Sequence, residues 1–143
     1  MTNPSIPPSQ MLCFALYSTT HAMQAAYKPL LDPLGLTYPQ YLALMTLMTQ
    51  PSLTVSQLGA ALHLDSNTLT PLLKRMEAKG WLTRRRDTGD DRRVNLALTD
   101  AGRALGTQAA AVPACFLDKT GFDPATAGDL REVLALLRAN LRA

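Results

Sequence analysis

The chain has 143 residues, 47% of them apolar, which is enough for one domain with a hydrophobic core and too apolar for a disordered protein. Its net charge of +3 weakly favours a polyanionic partner. The first 27 residues carry no formal charge and no apolar run approaches a membrane span, so we expect neither a secretory signal nor a membrane protein. Two cysteines without a zinc-binding pattern indicate a cytoplasmic protein with reduced thiols.

The N-terminal third of the chain predicts two helices. The first has a helical pattern from about residue 10 to residue 31, where Pro29 and Pro33 should kink or end it. Thr37 and Gln40 have the spacing of a capping box and predict the start of the second helix.

Two further helices follow at short spacing. Thr54 and Gln57 form another predicted capping box, which opens a short helix. Asp65 or Ser66 caps the next helix, whose leucines recur with helical periodicity until Gly80 ends it. Such a close pair of helices is typical of a helix-turn-helix.

The second of these helices should bury its leucines and present polar side chains on its other side. These are Ser66, Asn67, Thr70 and Lys74, with Arg75 at one flank. Short polar side chains allow close approach to base edges, and the two basic residues can neutralise phosphates. Taken alone, this surface is better explained as the solvated face of an ordinary amphipathic helix.

The next segment predicts a two-stranded ribbon formed by residues 81–86 and 93–98 around a turn at 87–90. Five arginines lie between positions 84 and 93, with three aspartates among them. Acids at this point could hold the Arg92 guanidinium in one orientation, as insertion into a DNA groove requires. Residues 54–99 therefore predict a winged helix-turn-helix that binds DNA through a helix in the major groove and a ribbon beside it.

The remaining residues predict helices that need a partner subunit. Thr99 caps an alanine-rich helix that Pro113 should bend or end, and Asp123-Pro124 begins the last helix. A first helix that is apolar nearly all round requires burial on every side, which a chain this short cannot provide. We therefore expect an α-helical homodimer in which the terminal helices interlock.

The tip of the ribbon contains the motif Asp87-x-x-Asp90-x-Arg92, followed after five residues by Leu98-Thr99. This motif resembles the wing signature of MarR-type regulators. Three further segments narrow the resemblance: Leu-Cys-Phe-Ala-Leu-Tyr-Ser at 12–18, Leu-Thr-Tyr-Pro-Gln-Tyr at 36–41, and residues 64–75. They resemble the organic-hydroperoxide-sensing repressors of the MarR family called OhrR.

The resemblance implies a mainly α fold with a small two-stranded β wing. Residues 1–143 would form a single MarR-type chain, with a helical dimerisation region at 10–36 and 99–143 and a winged helix-turn-helix lobe at 37–98. It also implies a homodimeric repressor on a pseudo-palindromic operator, with no catalytic activity and no cofactor or metal. The implied DNA-binding residues are Ser66, Asn67, Thr68, Thr70, Lys74, Arg75, Arg84, Arg86 and Arg92, with Asp90 positioning the wing.

The resemblance makes Cys13 the redox sensor, which organic hydroperoxide would oxidise to a sulfenic acid so that DNA is released. The thiolate is the form of cysteine that reacts with peroxides. Apolar surroundings alone disfavour the thiolate because they remove water from its charge. Hydrogen bonds from phenol groups and a nearby helix N-terminus stabilise that charge. Tyr17, Tyr27 and Tyr38 match the tyrosines that surround this cysteine in the family. Tyr27 lies too far along the helix to reach the cysteine of its own chain, and Tyr41 is interpreted as a half-buried packing residue with its hydroxyl in water.

Cys115 is a possible resolving thiol, which would form a disulfide with the Cys13 sulfenic acid. It follows Val112-Pro113 by two residues, about one turn earlier than the second thiol of two-cysteine relatives. A one-cysteine mechanism therefore stays open.

Two other functions compete with peroxide sensing. The chain could be a MarR-type regulator that responds to a phenolic or other small ligand while Cys13 is inert, as most cysteines on apolar helices are. It could also be a thiol peroxidase, although no electropositive residue adjoins Cys13 in the sequence. His21 and His63 have no partner at metal-ligand spacing.

Overall fold

The computed structural model of this chain describes residues 5–143 as helices with one small antiparallel sheet. The chain forms two compact units, one ending at Ala110 and the other comprising Ala111–Ala143. The helices are α1 (Leu12–Leu31), α2 (Tyr38–Thr49), α3 (Val55–Leu62), α4 (Ser66–Ala78), α5 (Asp100–Ala109), α6 (Val112–Thr120) and α7 (Pro124–Arg142), and the strands are β1 (Leu53–Thr54), β2 (Leu82–Arg86) and β3 (Val94–Leu98).

Side-chain caps fix the starts of the helices around the predicted helix-turn-helix. The capping boxes of Thr37 with Gln40 and of Thr54 with Gln57 are both confirmed, each with two reciprocal hydrogen bonds. Asp65, rather than Ser66, caps α4 by accepting a hydrogen bond from the backbone N–H of Thr68 at 2.8 Å. The short connection between α3 and α4 is thereby set by local hydrogen bonding.

The first helix continues through its proline. Pro29 lies inside α1, which ends at Leu31. Pro33 follows in a 3-10 turn, and Gly35 closes that turn in the left-handed conformation with φ of 70°. Of the two prolines expected to end this helix, only Pro33 lies beyond its last residue.

The sheet contains a third strand that the sequence did not predict. The two residues of β1 pair with β3, which gives the order β1-β3-β2, with Leu53 opposite Leu96. The predicted ribbon of β2 and β3 is confirmed, with a register that runs from Leu82 opposite Leu98 to Arg86 opposite Val94. The added strand joins the middle of β3 to the start of α3.

Leucine side chains from α2, α3, α4 and the sheet form the core of the first unit. Leu44, Leu58 and Leu73 have no measurable exposure. Two glycines of α5 allow close packing in the same unit, because a Cβ at Gly102 would lie 1.9 Å from the Trp81 carbonyl oxygen and one at Gly106 would lie 2.4 Å from a Met48 sulfur. Helix α5 therefore packs with α2, and in this chain it belongs to the same unit as the predicted DNA-binding lobe.

The second unit consists of α6 and α7. The predicted cap of Asp123 before Pro124 is confirmed, and Gly121 ends α6 with φ of 71°. Helix α7 has no buried residue, and the exposed side chains include those of Leu130, Val133 and Leu141. The apolar stripe of this helix is therefore uncovered in the single chain.

None of the helices within residues 5–143 is both long enough and apolar enough to cross a membrane. Nor does this part of the chain bring together three side chains able to hold a metal ion.

Candidate functional site

Helix α4 separates its side chains into a buried and an exposed face, as predicted. Leu69, Leu72, Leu73 and Met76 are buried. On the opposite side, Ser66, Asn67, Thr68, Lys74 and Arg75 are exposed and Thr70 is half-buried. The polar side chains proposed to contact DNA therefore lie together on one accessible surface.

The turn between β2 and β3 holds Arg92 through Asp90. The Asp90 carboxylate accepts a hydrogen bond from the Arg92 backbone N–H at 3.0 Å and lies 3.7 Å from Nε of the Arg92 guanidinium. The Arg92 side chain is 95% exposed. A carboxylate thus contacts this arginine at its backbone and at its head group, while the guanidinium stays open to a partner.

Arg84 differs from the other arginines of the wing in its surroundings. Its backbone N–H and its Nη2 donate to the two carboxylate oxygens of Glu77, at 3.2 and 3.3 Å. Its side chain is 26% exposed, and Nε is buried without a hydrogen-bond partner among the described residues. Arg85 and Arg86, the next residues of the strand, are exposed.

A cleft of about 500 Å³ lies between α4, the start of α3 and the wing. Hydroxyl groups from Ser56, Ser66 and Thr70 line it together with Arg84 and Arg92. The three hydroxyl groups and Arg92 come from α3, α4 and the wing, so donors from three separate elements share one surface, which suits a phosphate backbone.

Cys13 is the second residue of α1 and is exposed in the single chain. Its own chain therefore does not supply the expected apolar surround, because the neighbouring side chains of Leu12 and Phe14 are exposed as well. Tyr17, one turn further on, is 63% exposed, and its ring lies 4.3 Å from that of His21. The start of α1 thus presents the thiol and a phenol side by side on an open surface.

The other two tyrosines assigned to the thiol lie elsewhere in the fold, in contact with each other. The ring centroids of Tyr27 and Tyr38 are 4.8 Å apart. Tyr27 lies fourteen positions after Cys13 on the same helix, which corresponds to about 21 Å along α1. Tyr27 cannot reach the thiol of its own chain at that distance.

Tyr41 belongs to the same cluster, and its interpretation as a half-buried residue with a solvated hydroxyl was wrong. It is 4% exposed, its ring lies 5.7 Å from that of Tyr27, and the two side chains are hydrogen-bonded. Burial raises the pKa of all three phenols, most strongly that of Tyr27, where the charges of Tyr41 and Tyr38 act in the same direction. The cluster therefore stays neutral at physiological pH.

Cys115 lies in α6 of the second unit and is exposed. It is a free thiol within that unit, as Cys13 is within the first.

Residues 36–94, which include α2 to α4 and the first two strands, match the model of the MarR family. An organic hydroperoxide resistance transcriptional regulator of Bacillus subtilis (strain 168) is 45% identical over 126 residues, which cover 88% of this chain and 84% of the relative. The chain belongs to the MarR family. MarR proteins are DNA-binding transcriptional regulators, so this member is a regulator and not an enzyme.

Two solved structures of AbfR are similar to this MarR protein. Reduced AbfR bound to DNA is 33% identical with a TM-score of 0.76, over 94% of this chain and 92% of that one. Disulfide-formed AbfR is 36% identical with a TM-score of 0.65, over 90% of each chain. The predicted class, mainly helical with a winged helix-turn-helix, is confirmed for this MarR protein by its own structure and by these neighbours.

Sequence reasoning missed two residues of the site of this MarR protein. Glu77 has no distinguishing signal in the sequence, because its partner Arg84 belongs to a different element. Tyr41 did have a signal in the sequence. It follows Tyr38 by three residues, and this spacing predicts that the two phenols lie on the same face of a helix.

Proposed function

We propose that this protein is a homodimeric repressor that senses organic hydroperoxides through Cys13 and releases its operator when that thiol is oxidised. The observation that carries the proposal is an exposed thiol at the N-terminus of α1, in a chain 45% identical to a regulator named for organic hydroperoxide resistance. Reduced AbfR, a structural neighbour, has been solved bound to DNA, and a disulfide form of it is also known. These neighbours support redox control of DNA binding.

The chemical step is a two-electron oxidation of sulfur. The Cys13 thiolate attacks the terminal oxygen of the hydroperoxide, so that a sulfur–oxygen bond forms while the oxygen–oxygen bond breaks. The rest of the hydroperoxide leaves as an alkoxide, which takes up a proton to become an alcohol, and Cys13 becomes a sulfenic acid. If Cys115 is the resolving residue, its thiolate attacks that sulfur, a disulfide forms and water leaves.

The thiolate needs hydrogen-bond donors, and its own chain offers one phenol nearby, that of Tyr17. Tyr27 is about four turns of α1 away and Tyr38 packs against Tyr27, so the two phenols would act on Cys13 from a partner subunit. An antiparallel α1 from the partner would bring them to the thiol. It would also cover the exposed apolar side chains of Leu12 and Phe14, giving hydroperoxides with apolar substituents a pocket to enter.

The exposed apolar stripes at both ends of the chain support a dimer. Phe14 on α1 is 44% exposed, and Val133 on α7 is 63% exposed. Soluble proteins rarely leave contiguous apolar surface in water, so a second copy of the chain is the natural cover for these helices. The helical dimerisation region that we propose comprises residues 10–36 and 99–143.

Operator binding is assigned to the exposed face of α4 and to the wing. The two copies of α4 in a dimer would enter successive major grooves with Ser66, Asn67, Thr68 and Thr70, while Lys74 and Arg75 contact phosphates. Arg86 and Arg92 would contact the backbone or the minor groove, with Asp90 holding Arg92 in place. A pseudo-palindromic operator follows from the two-fold symmetry of such a dimer.

The test is a gel shift with operator DNA, with and without cumene hydroperoxide, on wild type, Cys13→Ser and Cys115→Ser proteins. We expect hydroperoxide to release DNA from the wild type, whereas Cys13→Ser stays bound. If the Cys13→Ser protein is released as readily as the wild type, Cys13 is not the sensor and a non-covalent ligand site is favoured instead. Non-reducing electrophoresis of the same samples separates a two-thiol route, in which cross-linked dimers form, from a one-cysteine route.

A further inference from the structure

Glu77 joins the last turn of α4 to wing strand β2. Its two carboxylate oxygens accept hydrogen bonds from one residue, Arg84, through the backbone N–H at 3.2 Å and through Nη2 at 3.3 Å. The Glu77 side chain is 39% exposed and that of Arg84 is 26% exposed. Helix α4 is the recognition helix of the proposed DNA complex. A single carboxylate therefore connects this helix to the backbone and to the side chain of one wing residue, Arg84.

This pair differs from the ion pairs elsewhere in the described residues. Lys28 with Asp32 lies within a helix and its cap, Arg103 with Asp100 lies within α5, and the Asp90–Arg92 pair lies within the turn of the wing. Such local exposed pairs contribute little to a fold. Glu77 and Arg84 instead connect two elements that both face DNA in the proposed complex.

We propose that Glu77 is a positioning residue, and that Arg84 holds the wing against the recognition helix instead of contacting a DNA phosphate. We call this pair the Glu77–Arg84 clamp. The proposal rests on DNA binding, which the MarR family establishes, and not on peroxide sensing.

The surroundings of the Arg84 guanidinium favour this role over a phosphate contact. Glu77 already neutralises its charge, and Nε is buried, so that edge of the group is closed to a ligand. Turning the guanidinium towards DNA would leave a half-buried carboxylate without its partner, which costs free energy. Arg86, two residues further along β2, is exposed and carries no such cost.

The dependence of operator affinity on salt separates the two roles of an arginine. Each phosphate contact contributes about −0.9 to the slope of log affinity against log salt concentration, through counterion release. Loss of a phosphate contact makes that slope shallower. Loss of a positioning contact weakens binding but leaves the slope unchanged, because the number of neutralised phosphates stays the same.

The experiment measures fluorescence anisotropy of a labelled operator duplex, obtained by in vitro selection with the wild-type protein, over a range of salt concentrations. The full-length protein is kept reduced and free of hydroperoxide, so the result is independent of Cys13 chemistry. The variants are Glu77→Ala, Glu77→Gln and Arg84→Met, with Arg86→Met as the phosphate-contact comparison. Glu132→Gln is the control for loss of a negative charge. Glu132 is the other glutamate of the chain and is exposed on α7.

We expect Glu77→Ala and Arg84→Met to weaken operator binding about tenfold, with wild-type salt slopes. Glu77→Gln should lose less, because its amide oxygen can still accept from the Arg84 backbone N–H. The proposal is overturned if Arg84→Met makes the slope shallower by about 0.9. It is overturned equally if Glu77→Ala binds as tightly as wild type or more tightly, as simple removal of a negative charge near DNA would cause. Should Glu77→Ala unfold at the assay temperature, Glu77→Gln decides instead: weaker binding than wild type with an unchanged salt slope supports the proposal, and wild-type affinity overturns it.

Discussion

The side chain of Tyr27 on α1 is hydrogen-bonded to that of Tyr41 on α2, and their ring centroids are 5.7 Å apart. Tyr38 packs against both rings, at 4.8 Å from Tyr27 and 6.1 Å from Tyr41. Burial raises the pKa of each phenol above the ordinary value of 10.0. The folded protein therefore holds these three protons more tightly than the unfolded chain does.

Alkaline pH should destabilise the protein through this cluster. The folded pKa values are raised, so the stabilisation is fully present below pH 10 and is lost as the pH rises above it. We expect the urea midpoint to be constant near neutrality and to decline above about pH 10. The decline should be smaller in Tyr27→Phe than in Tyr17→Phe, which removes an exposed phenol, and equal declines in the two variants would contradict the assignment.

The close contact of α5 with the start of the wing makes Gly102 sensitive to substitution. A Cβ at this position would lie 1.9 Å from the Trp81 carbonyl oxygen, and backbone cannot move aside as a flexible side chain can. We expect Gly102→Ala to lower the free energy of unfolding by about 1–3 kcal/mol, measured by chemical denaturation. Gly89→Ala is the matched control, because nothing lies within 4 Å of its Cβ position, and it should change stability little. Similar losses in both variants would show that the contact does not matter.

Asp90 offers a test in which positioning and simple electrostatics predict opposite results. Its carboxylate holds Arg92 in the wing. If that contact orients the arginine for DNA, Asp90→Ala weakens operator binding although the net charge of the variant is one unit more positive. If Asp90 is merely a nearby acid, the same variant binds more tightly. Anisotropy titrations of reduced wild-type and variant proteins at one salt concentration decide between them, with Asp129→Ala on α7 as the control for the charge change.

The proposed dimer depends on the apolar stripe of α7. Val133 is 63% exposed in the single chain, so Val133→Asp should not harm the fold of one chain but should place a charge in the interface. We expect sedimentation to give a dimer for wild type and a monomer for the variant, with loss of operator binding. Ala139→Asp, which puts the same charge on the opposite face of α7, should remain dimeric. A monomeric wild type at micromolar concentration would contradict the proposal.

Features encoded by neighbouring residues were predictable, and features that join distant residues were not. The capping boxes of Thr37 and Thr54 and the buried face of α4 follow from local spacing, and the structure confirms them. Strand β1 was missed because two residues give no periodicity, and it forms only by pairing with residues some 40 positions later. The contact of Glu77 with Arg84 was missed for a related reason: it depends on the angle at which the wing leaves the helix.

The distance between Cys13 and Tyr27 along α1 has a genetic consequence if the thiol receives its phenol from the partner subunit. Homodimers of Cys13→Ser and of Tyr27→Phe would each lack a complete sensor. A mixed dimer of the two chains would contain one intact sensor, since the Cys13 of one subunit would meet the Tyr27 of the other. Co-expression of the two defective alleles should therefore restore part of the hydroperoxide response by complementation in trans.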